Sequence, residues 1–441
     1  MKPATIILLA THFALYTSGY LNPDEGDAGS TIVHQQPSIE EMTTAGVSYF
    51  PVGRGDRFRN VVPRGFGSTA DFEAASILSV TEIESALQGL QKTYPDKMML
   101  NTTGIKTHEG RDIFVAVMGS DSPRVLLVSG IHGRDRGGPD NLVYLMSDLL
   151  WADRNNASLH YDSKEYSIDQ VRQILAAGIA LIPSANPDGL NYDQTTNSCW
   201  RKNRRPATNR KEVGVDINVN FNVFWDFENM FHQNTTKIAM SRDARKQNYV
   251  GPEPLSEPET RSIYNLLRDM TSLSWYLDLH SVRGEVLYSW GDDSSQTEDP
   301  SMNHLNATYN RQRGIPDDAY REYLEPEDFY AQKSVAERMV EVMNSVGDEA
   351  FYQAAESASL YASPGSTDEA MAKYYSRKCG ANRINVVRLN FGKEVDTLIC
   401  QDFFYPDAHK YHQNLLQTTV GLMEFLLNAA GQAGERKLYH C

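Results

Sequence analysis

The stretch VSGIHGRDRGGPD, residues 128–140, places a histidine and an aspartate three positions apart at the end of an apolar run. The overlapping segment RVLLVSG is typical of a buried strand that ends at a glycine. His132 and Asp135 therefore come just after a strand end, where α/β proteins place ligands and catalytic groups. Both residue types bind zinc, so the spacing favours a metal site.

A second histidine follows another predicted strand. The segment LSWYLDLHS ends close to His280, and this residue would lie at the same sheet edge as His132 and Asp135. Two imidazoles and one carboxylate would bind zinc and leave a fourth position open for water. Asp278 lies two residues before His280, so both side chains point to one face of the strand. Asp278 is therefore expected to be a hydrogen-bond partner of His280.

Predicted strands and helices alternate along the chain. The strands include IFVAVMG, RVLLVSG, GIALIPS and LSWYLDLHS, and the helices include SVTEIESALQGLQKTYP, DNLVYLMSDLLW, EPETRSIYNLLRDM and NLLQTTVGLMEFLLNAA. Thr81 is expected to cap the first helix. This order predicts a single-domain α/β sandwich, a mixed central β-sheet flanked by helices, over residues 73–431 and followed by a tail at 432–441.

The composition narrows the class of protein. The chain has 441 residues, a hydrophobic content of 41% and a formal net charge of −15. The hydrophobic content predicts a core of ordinary size. Binding to nucleic acid is not expected, because an acidic surface repels phosphates. After the N-terminus no apolar run is long enough to predict a membrane span.

The N-terminus is typical of secretion. Residues 1–20 contain Lys2, an apolar run that begins at Ile6, and small residues at 17–19, which together predict a signal peptide. Residues 21–72 are rich in Gly, Pro and Asp and predict a poorly structured leader. An extracellular, monomeric protein is expected.

Two further features suit a secretory route. Acceptor triplets for N-glycosylation occur at Asn101, Asn156, Asn234 and Asn306. The four cysteines, Cys199, Cys379, Cys400 and Cys441, allow one or two disulfides, with three possible full pairings. The preferred bridge is Cys379–Cys400, because both residues flank one predicted strand.

Seven segments, in order, resemble the zinc carboxypeptidases of the pancreatic A/B type. They are THEGRDIFVAVMG, GIHGRD, PSANPDGLNY, WRKNRR, GVDINVNF, GPEPLSEPET and LDLHS. The resemblance implies the zinc-carboxypeptidase fold, one zinc ion, and peptide or protein C-termini as substrates. It assigns the metal positions to His132, Asp135 and His280.

The resemblance also implies roles around the metal. Arg201 matches the arginine that stabilises the developing oxyanion, and Asn218 matches half of an Asn-Arg pair that binds the substrate's terminal carboxylate. Tyr361 matches a mobile tyrosine that closes over the substrate, although a packed aromatic is the alternative. Counting from Tyr361 places Asp368 at the floor of the pocket that receives the substrate's last side chain. If the register is shifted by one residue, Glu369 takes this place instead. A carboxylate there implies a preference for C-terminal Lys or Arg.

Three positions depart from the family pattern. Asp135 is one methylene shorter than the family's glutamate and could instead cap the next helix. Val219 replaces the carboxylate-binding arginine, so Asn218 needs another cation, such as Arg204 or Arg205. An amidase-type activity on a C-terminus without a free carboxylate would also explain Val219.

The third departure concerns the general base. One alignment of the family's strand puts Arg388 at the base position, which predicts an inactive protein. A second alignment counts twelve residues back from Pro406, matches Phe391, and puts Glu394 there. Glu394 is the preferred base, with a surface acid as the alternative. A secreted zinc metallocarboxypeptidase is therefore expected, and the alternative is a catalytically impaired protein that binds peptides or a partner.

Overall fold

The computed structural model describes residues 48–70, 72–235, 238–315, 318–359, 361–376 and 384–431. The expected signal peptide, leader residues 21–47 and the tail at 432–441 lie outside these ranges.

A mixed sheet of eight strands forms the centre of the described chain. The strands, including those of two small two-stranded sheets, are β1 (Met98–Thr102), β2 (Phe114–Met118), β3 (Val125–Ser129), β4 (Leu159–Tyr161), β5 (Lys164–Tyr166), β6 (Ile179–Ile182), β7 (Trp275–Ser281), β8 (Glu285–Tyr288), β9 (Ser295–Gln296), β10 (Glu322–Tyr323), β11 (Gln353–Glu356) and β12 (Asn385–Phe391). The order of strands across the eight-stranded sheet is β1-β2-β6-β3-β7-β12-β8-β11. Strands β6, β3, β7 and β12 run parallel, and antiparallel pairs lie on both sides of them. This arrangement confirms the predicted α/β sandwich.

Helices cover both faces of this sheet. They are α1 (Val80–Thr93), α2 (Gly138–Asn155), α3 (Ile168–Ala177), α4 (Pro187–Thr196), α5 (Phe227–Met230), α6 (Pro258–Asp269), α7 (Pro326–Met343), α8 (Ser366–Ser376), α9 (Cys400–Phe404) and α10 (Ala408–Gly431). Helices α2, α3, α7 and α10 form one layer, and α6 and α8 lie on the opposite face. Because both faces are covered, β3 is apolar along almost its whole length and buried throughout.

Side-chain alternation along β7 and β12 decides which residues reach the site. Leu277 and Leu389 point towards the core under α7 and α10, whereas Tyr276 points towards α6 and α8. Residues 278, 280, 388 and 390 share the face of Tyr276, because side chains two positions apart lie on one side of a strand. The α8 face of these two strands therefore carries the polar residues.

The first helix begins two residues earlier than a Thr81 cap predicts. Ser79 is the cap, and its hydroxyl accepts a hydrogen bond from the backbone N–H of Glu82. The Glu82 carboxylate accepts one from the backbone N–H of Ser79 in return. This S-x-x-E capping box explains the difference, because it satisfies two N–H groups at the helix start that a cap at Thr81 would leave unpaired.

The predicted unstructured leader is wrong for residues 48–70. Phe50 stacks on Tyr411 with ring centroids 4.7 Å apart. The backbone N–H groups of Gly67 and Ser68 donate to the Asp148 carboxylate over 2.7 and 2.9 Å. Composition suggested disorder because the segment lacks periodicity, yet scattered aromatic and polar anchors fix it to the domain.

The predicted disulfide is also wrong. Cys199 bonds to Cys400, with Cα atoms 6.1 Å apart, and Cys379 and Cys441 lie outside the described residues. The ends of the seven-residue strand β12 are about 20 Å apart, so flanking a strand does not bring two cysteines together. The bond joins the segment before Arg201 to α9.

No helix of the described residues is long and apolar enough to cross a membrane.

Candidate metal centre and substrate pocket

His132 and Asp135 lie on the turn that connects β3 to α2. The backbone N–H of Asp135 donates to the carbonyl of His132 over 3.2 Å, which closes the turn. Gly137 is the residue that precedes α2, so Asp135 does not act as its cap. His280 lies near the end of β7, which pairs in parallel with β3. Two adjacent parallel strands thus bring the three side chains to one edge of the sheet.

The three donor atoms form a nearly regular triangle. His132 Nδ1 is 3.1 Å from Asp135 Oδ2 and 3.2 Å from His280 Nδ1, and His280 Nδ1 is 3.2 Å from Asp135 Oδ2. Zinc bound tetrahedrally at about 2.0–2.1 Å has ligand atoms about 3.3–3.4 Å apart. The donor types and their separations therefore fit zinc. We call His132, Asp135 and His280 the metal trio. Although aspartate is shorter than glutamate, the distances from Asp135 Oδ2 to the two histidines are no longer than the distance between the histidines.

A second carboxylate lies beside each histidine of the metal trio. His280 Nε2 lies 2.8 Å from Asp278 Oδ2, as its place on β7 predicted. A hydrogen-bond partner of this kind fixes the ring orientation and makes the imidazole a better ligand. His132 Nε2 lies 3.3 Å from Asp216 Oδ1, within ion-pair distance but without the geometry of a hydrogen bond. Sequence reasoning missed Asp216, although its place in the quoted GVDINVNF segment was a usable signal.

The electrostatics of the metal trio favour a cation. Burial alone would raise the pKa of Asp135, but the two histidines outweigh it and hold that pKa well below its usual range. Burial lowers the pKa of His280, and the carboxylates of Asp278 and Asp135 raise it to about 9 overall. Three buried carboxylates surround the two imidazoles when Asp216 is included. A divalent cation would balance this excess of negative charge.

Arg201 lies beside the metal trio, where the resemblance placed it. Its Nε and Nη2 donate to Asp216 Oδ2 over 2.9 and 2.8 Å, and its Nη1 is 3.4 Å from His132 Nδ1. Asp216 thus holds the arginine and lies beside a histidine of the trio. A guanidinium fixed in this way can stabilise negative charge that develops next to the metal.

Arg204 and Arg205 do not extend towards this site. The guanidinium of Arg204 lies over the rings of Tyr192 and Trp200. Arg205 Nη1 donates to Glu257 over 2.8 Å. Both cations are engaged in the loop, so neither replaces the missing arginine at position 219.

Asn218 and Asp368 lie near Arg388, the residue that one sequence alignment put at the base position, and we call these three the pocket residues. Asn218 Oδ1 accepts a hydrogen bond from the backbone N–H of Ser366 over 3.2 Å. Asp368 accepts two, from the N–H groups of Gly291 and Gly365, over 2.7 and 2.8 Å. The charge of Arg388 also acts on Asp368, although burial has the larger effect and raises the pKa of that carboxyl.

Two other residues were assigned to this region from the sequence. Glu369, the alternative to Asp368, accepts a hydrogen bond from the N–H of Val223 over 2.8 Å. Tyr361 is half-buried, and the guanidinium of Arg283 lies 5.9 Å from its ring centroid. The roles of both residues stay predictions.

No contact described for Glu394 joins it to the metal trio. Glu394 follows β12 on an exposed segment. In the sheet, Asn390 is paired with His280, and Arg388 with Asp278. The general-base assignment to Glu394 stays a prediction.

Glu285 is a carboxylate that sequence reasoning missed. It lies on β8 opposite Asn390, and the Asn390 amide donates to it over 3.2 Å. Burial raises the pKa of Glu285, and the charge of Glu394 adds to that effect. Its sequence signal was weak, because GEVLY is a short segment with one acid before three apolar residues.

The chain is similar in sequence to known zinc carboxypeptidases. The sequence model of the zinc carboxypeptidase family matches residues 83–415. Zinc carboxypeptidase A 1 of Drosophila melanogaster is 28% identical over 243 residues, which cover 53% of this chain and 50% of that protein. The inactive metallocarboxypeptidase ecm14 of Talaromyces stipitatus is 28% identical over 226 residues, or 48% of this chain and 34% of that protein. Among these curated relatives the matched part thus spans half of their length or less.

Solved structures agree on the fold. Carboxypeptidase A from Helicoverpa armigera superposes with a TM-score of 0.54 at 21% identity, over 82% of this chain and 75% of that chain. With the family match over residues 83–415, and with two histidines and an aspartate together at its strand ends, this chain belongs to the zinc carboxypeptidase family.

Proposed function

We propose that the chain is a secreted, monomeric zinc metallocarboxypeptidase that removes C-terminal residues from peptides or proteins. The observation that carries the proposal is the triangle of donor atoms of the metal trio, with edges of 3.1–3.2 Å. Members of the family act on peptide C-termini, and the donor set matches a catalytic zinc site with one open position.

The residues around the trio have separate tasks in this proposal. Zinc, when bound there, would lower the pKa of a water molecule and polarise the scissile carbonyl. Arg201, fixed by Asp216, donates hydrogen bonds to the developing oxyanion. Glu394 accepts the proton of the attacking water and passes it to the leaving amine. Tyr361 closes over the substrate.

A second candidate function is binding of peptide C-termini without hydrolysis. Two observations favour it: Glu394 is exposed on the segment after β12, and β12 itself carries Arg388 and Asn390 on the face of the site. A base must come within hydrogen-bond reach of the proton that it removes. The two functions share the metal site and differ only in turnover.

Two further points concern location and specificity; the first supports the proposal and the second opposes a basic preference. The acceptor residues Asn101, Asn156 and Asn234 are exposed, as glycosylation in a secretory pathway requires. A preference for C-terminal Lys or Arg rests on Asp368, yet the nearby charge of Arg388 opposes a second cation in that pocket. The basic preference therefore stays a prediction for the substrate assay.

Zinc content and hydrolysis, measured on the same purified protein, test the proposal. About one zinc per chain is expected, with chelator-sensitive release of the last residue from blocked dipeptides ending in Arg, Lys, Phe or Leu. Zinc without release of any residue would select the binding function. Absence of zinc would overturn both.

A further inference from the structure

We propose that Arg388 replaces the lost arginine at position 219 and, with Asn218, binds the substrate's terminal carboxylate. The proposal deepens the proposed function and rests on it, because a recognition site for C-termini beside the metal trio presupposes a substrate with a C-terminus.

Val219 itself cannot contribute to recognition. Its side chain is buried in an apolar cluster with Met240 and Val250. Trp225 and Phe227 pack against the same cluster. A carboxylate needs donors, and this cluster offers none at the side chain of residue 219.

Arg388 lies on the correct face of the sheet. It is paired with Asp278 on β7, two residues before His280, so its side chain emerges on the face that carries the metal trio. Two residues of a strand span about 6.6 Å. This distance is comparable with the length of one C-terminal residue plus a hydrogen bond from its carboxylate to a donor. Arg388 is therefore at a suitable level for the carboxylate of a peptide whose last bond lies at the trio.

Gly365 shows that Arg388 and Asn218 converge. A Cβ atom added to Gly365 would lie 2.7 Å from Arg388 Nη2 and 2.7 Å from Asn218 Oδ1. The two polar groups thus both pack closely against Gly365, and a side chain at residue 365 would collide with them. Asn218 Oδ1 already accepts from Ser366 N–H, so its amide nitrogen is the group left to donate.

The donors of Arg388 are under-used. The side chain belongs to a residue that is only 7% exposed, and its Nε has no hydrogen-bond partner among the described residues. Its described hydrogen bonds go to the Ser363 carbonyl over 3.4 Å and to Thr367 Oγ1 over 3.2 Å. A buried guanidinium with an unpaired N–H is costly, and a carboxylate ligand would satisfy it.

The nearby carboxylates are engaged elsewhere. Asp278 lies 2.8 Å from His280 and accepts a hydrogen bond from the Ser366 hydroxyl. Asp368 accepts two backbone N–H bonds, from Gly291 and Gly365. The negative charges of Asp278 and Asp368 lower the cost of burying the Arg388 guanidinium. In the described contacts, neither carboxylate forms a bidentate pair with Arg388. A substrate carboxylate can occupy that role.

Binding of two matched peptides tests the proposal without any need for turnover. The probes are a fluorescent tripeptide whose last peptide bond is reduced to CH2–NH, with a free C-terminal carboxylate, and the same peptide as its C-terminal amide. The zinc-loaded full chain should bind the carboxylate form about 10- to 100-fold more tightly, the range of a charge-assisted hydrogen bond. Equal affinity for the two forms would overturn the proposal.

Variants assign the preference to Arg388. Arg388→Met should reduce the preference to less than about 3-fold, and Arg388→Lys should keep part of it, because lysine retains the charge and loses the planar fork. Arg205→Met, in the nearby basic loop, is the matched control and should bind like wild type. A folded Arg388→Met protein that keeps the full preference would contradict the proposal, and so would loss of the preference in Arg205→Met.

Two readouts separate this proposal from the proposed function. Zinc content of each variant is measured beside its affinity, so that loss of metal is not mistaken for loss of recognition. If Arg388→Met does not fold, Arg388→Lys decides: an unchanged preference for the carboxylate form overturns the proposal, and a reduced one supports it. Normal peptide preference without hydrolysis would leave Arg388 as the recognition residue and reject only turnover.

Discussion

The metal trio and the proposed recognition residues Asn218 and Arg388 lie on one face of the sheet, yet these two regions depart from the family pattern to different extents. The trio replaces Glu by Asp at residue 135 and still forms a triangle with edges of 3.1–3.2 Å. The pocket has Val219 packed in an apolar cluster and Arg388 close to Asn218. The metal site thus keeps its geometry, whereas the recognition site has a new arrangement of charges.

The two sites differ because a metal ion and a carboxylate have different geometric requirements. A metal ion requires donor atoms within a few tenths of an ångström of fixed distances, so substitutions are tolerated only when the backbone compensates. A carboxylate requires N–H donors and a positive charge, which can approach from more than one strand. Recognition can therefore move between positions while the metal site cannot.

His280→Ala should have the largest effect on this comparison. Removing one of three protein ligands leaves an incomplete donor set, and bound zinc should fall below about one tenth per chain, with loss of any hydrolysis. Metal analysis after dialysis measures this. His409→Ala, an exposed histidine on α10, is the control and should keep its zinc. Full zinc occupancy in His280→Ala would refute the assigned site.

Glu394→Gln separates turnover from binding. If Glu394 is the base, the rate should fall about 100- to 10,000-fold while zinc content stays unchanged. Steady-state hydrolysis of a blocked dipeptide provides the measurement. Glu285→Gln is the matched comparison, because it neutralises the buried carboxylate beside Asn390. A loss confined to Glu285→Gln would show that the sequence prediction of the base is wrong.

Asp278→Asn should weaken the metal trio without removing a ligand. The carboxylate of Asp278 lies 2.8 Å from His280 Nε2, and loss of such partners lowers metal affinity about 10- to 100-fold. Competition with a chelator of known affinity gives the value. An affinity equal to that of wild type would mean that Asp278 does not orient the histidine.

The smallest effect on either site is expected for Asp148→Asn, because the hydrogen bonds described for Asp148 are with Gly67, Ser68 and Tyr161, outside both sites. This substitution should affect stability. Burial, opposed by hydrogen bonds from Gly67, Ser68 and Tyr161, raises the pKa of Asp148 to about 6. Because the folded value exceeds the ordinary one of about 3.9, this carboxyl's contribution to stability is complete below pH 4 and is lost as the pH rises through 6.

The asparagine variant removes that pH dependence. Relative to wild type, its free energy of unfolding should rise on the order of 2 kcal/mol between pH 4 and pH 7. Urea denaturation at the two pH values supplies the difference, and zinc content should not change. A constant difference between variant and wild type at both pH values would contradict the assigned pKa.

Sequence reasoning predicted what depends on local pattern and motif order. The strand before His132, the strand that ends near His280 and the alternation that places Asp278 beside it are all local, and the structure has them. The Cys199–Cys400 bond joins residues 201 positions apart, and no local signal specifies such a pairing.

The pocket was the part that sequence could not resolve. Alignment of the family's general-base strand is ambiguous between Arg388 and Glu394, because VVRLNF matches the strand directly whereas the twelve-residue spacing to Pro406 favours Glu394. Only the pairing of β12 with β7 shows that Arg388 is level with Asp278 and Asn390 with His280. Sheet register is a long-range property, and a shift of one residue moves every side chain to the other face.

A crystal structure of the zinc-loaded protein with the uncleavable carboxylate peptide tests the central claim most directly. An anomalous difference map at the zinc absorption edge should show one peak between His132 Nδ1, Asp135 Oδ2 and His280 Nδ1. The peptide carboxylate should lie within about 3 Å of the Arg388 guanidinium and the Asn218 amide. A zinc peak elsewhere, or a carboxylate bound away from Arg388, would contradict the account of a conserved metal site beside a rearranged recognition site.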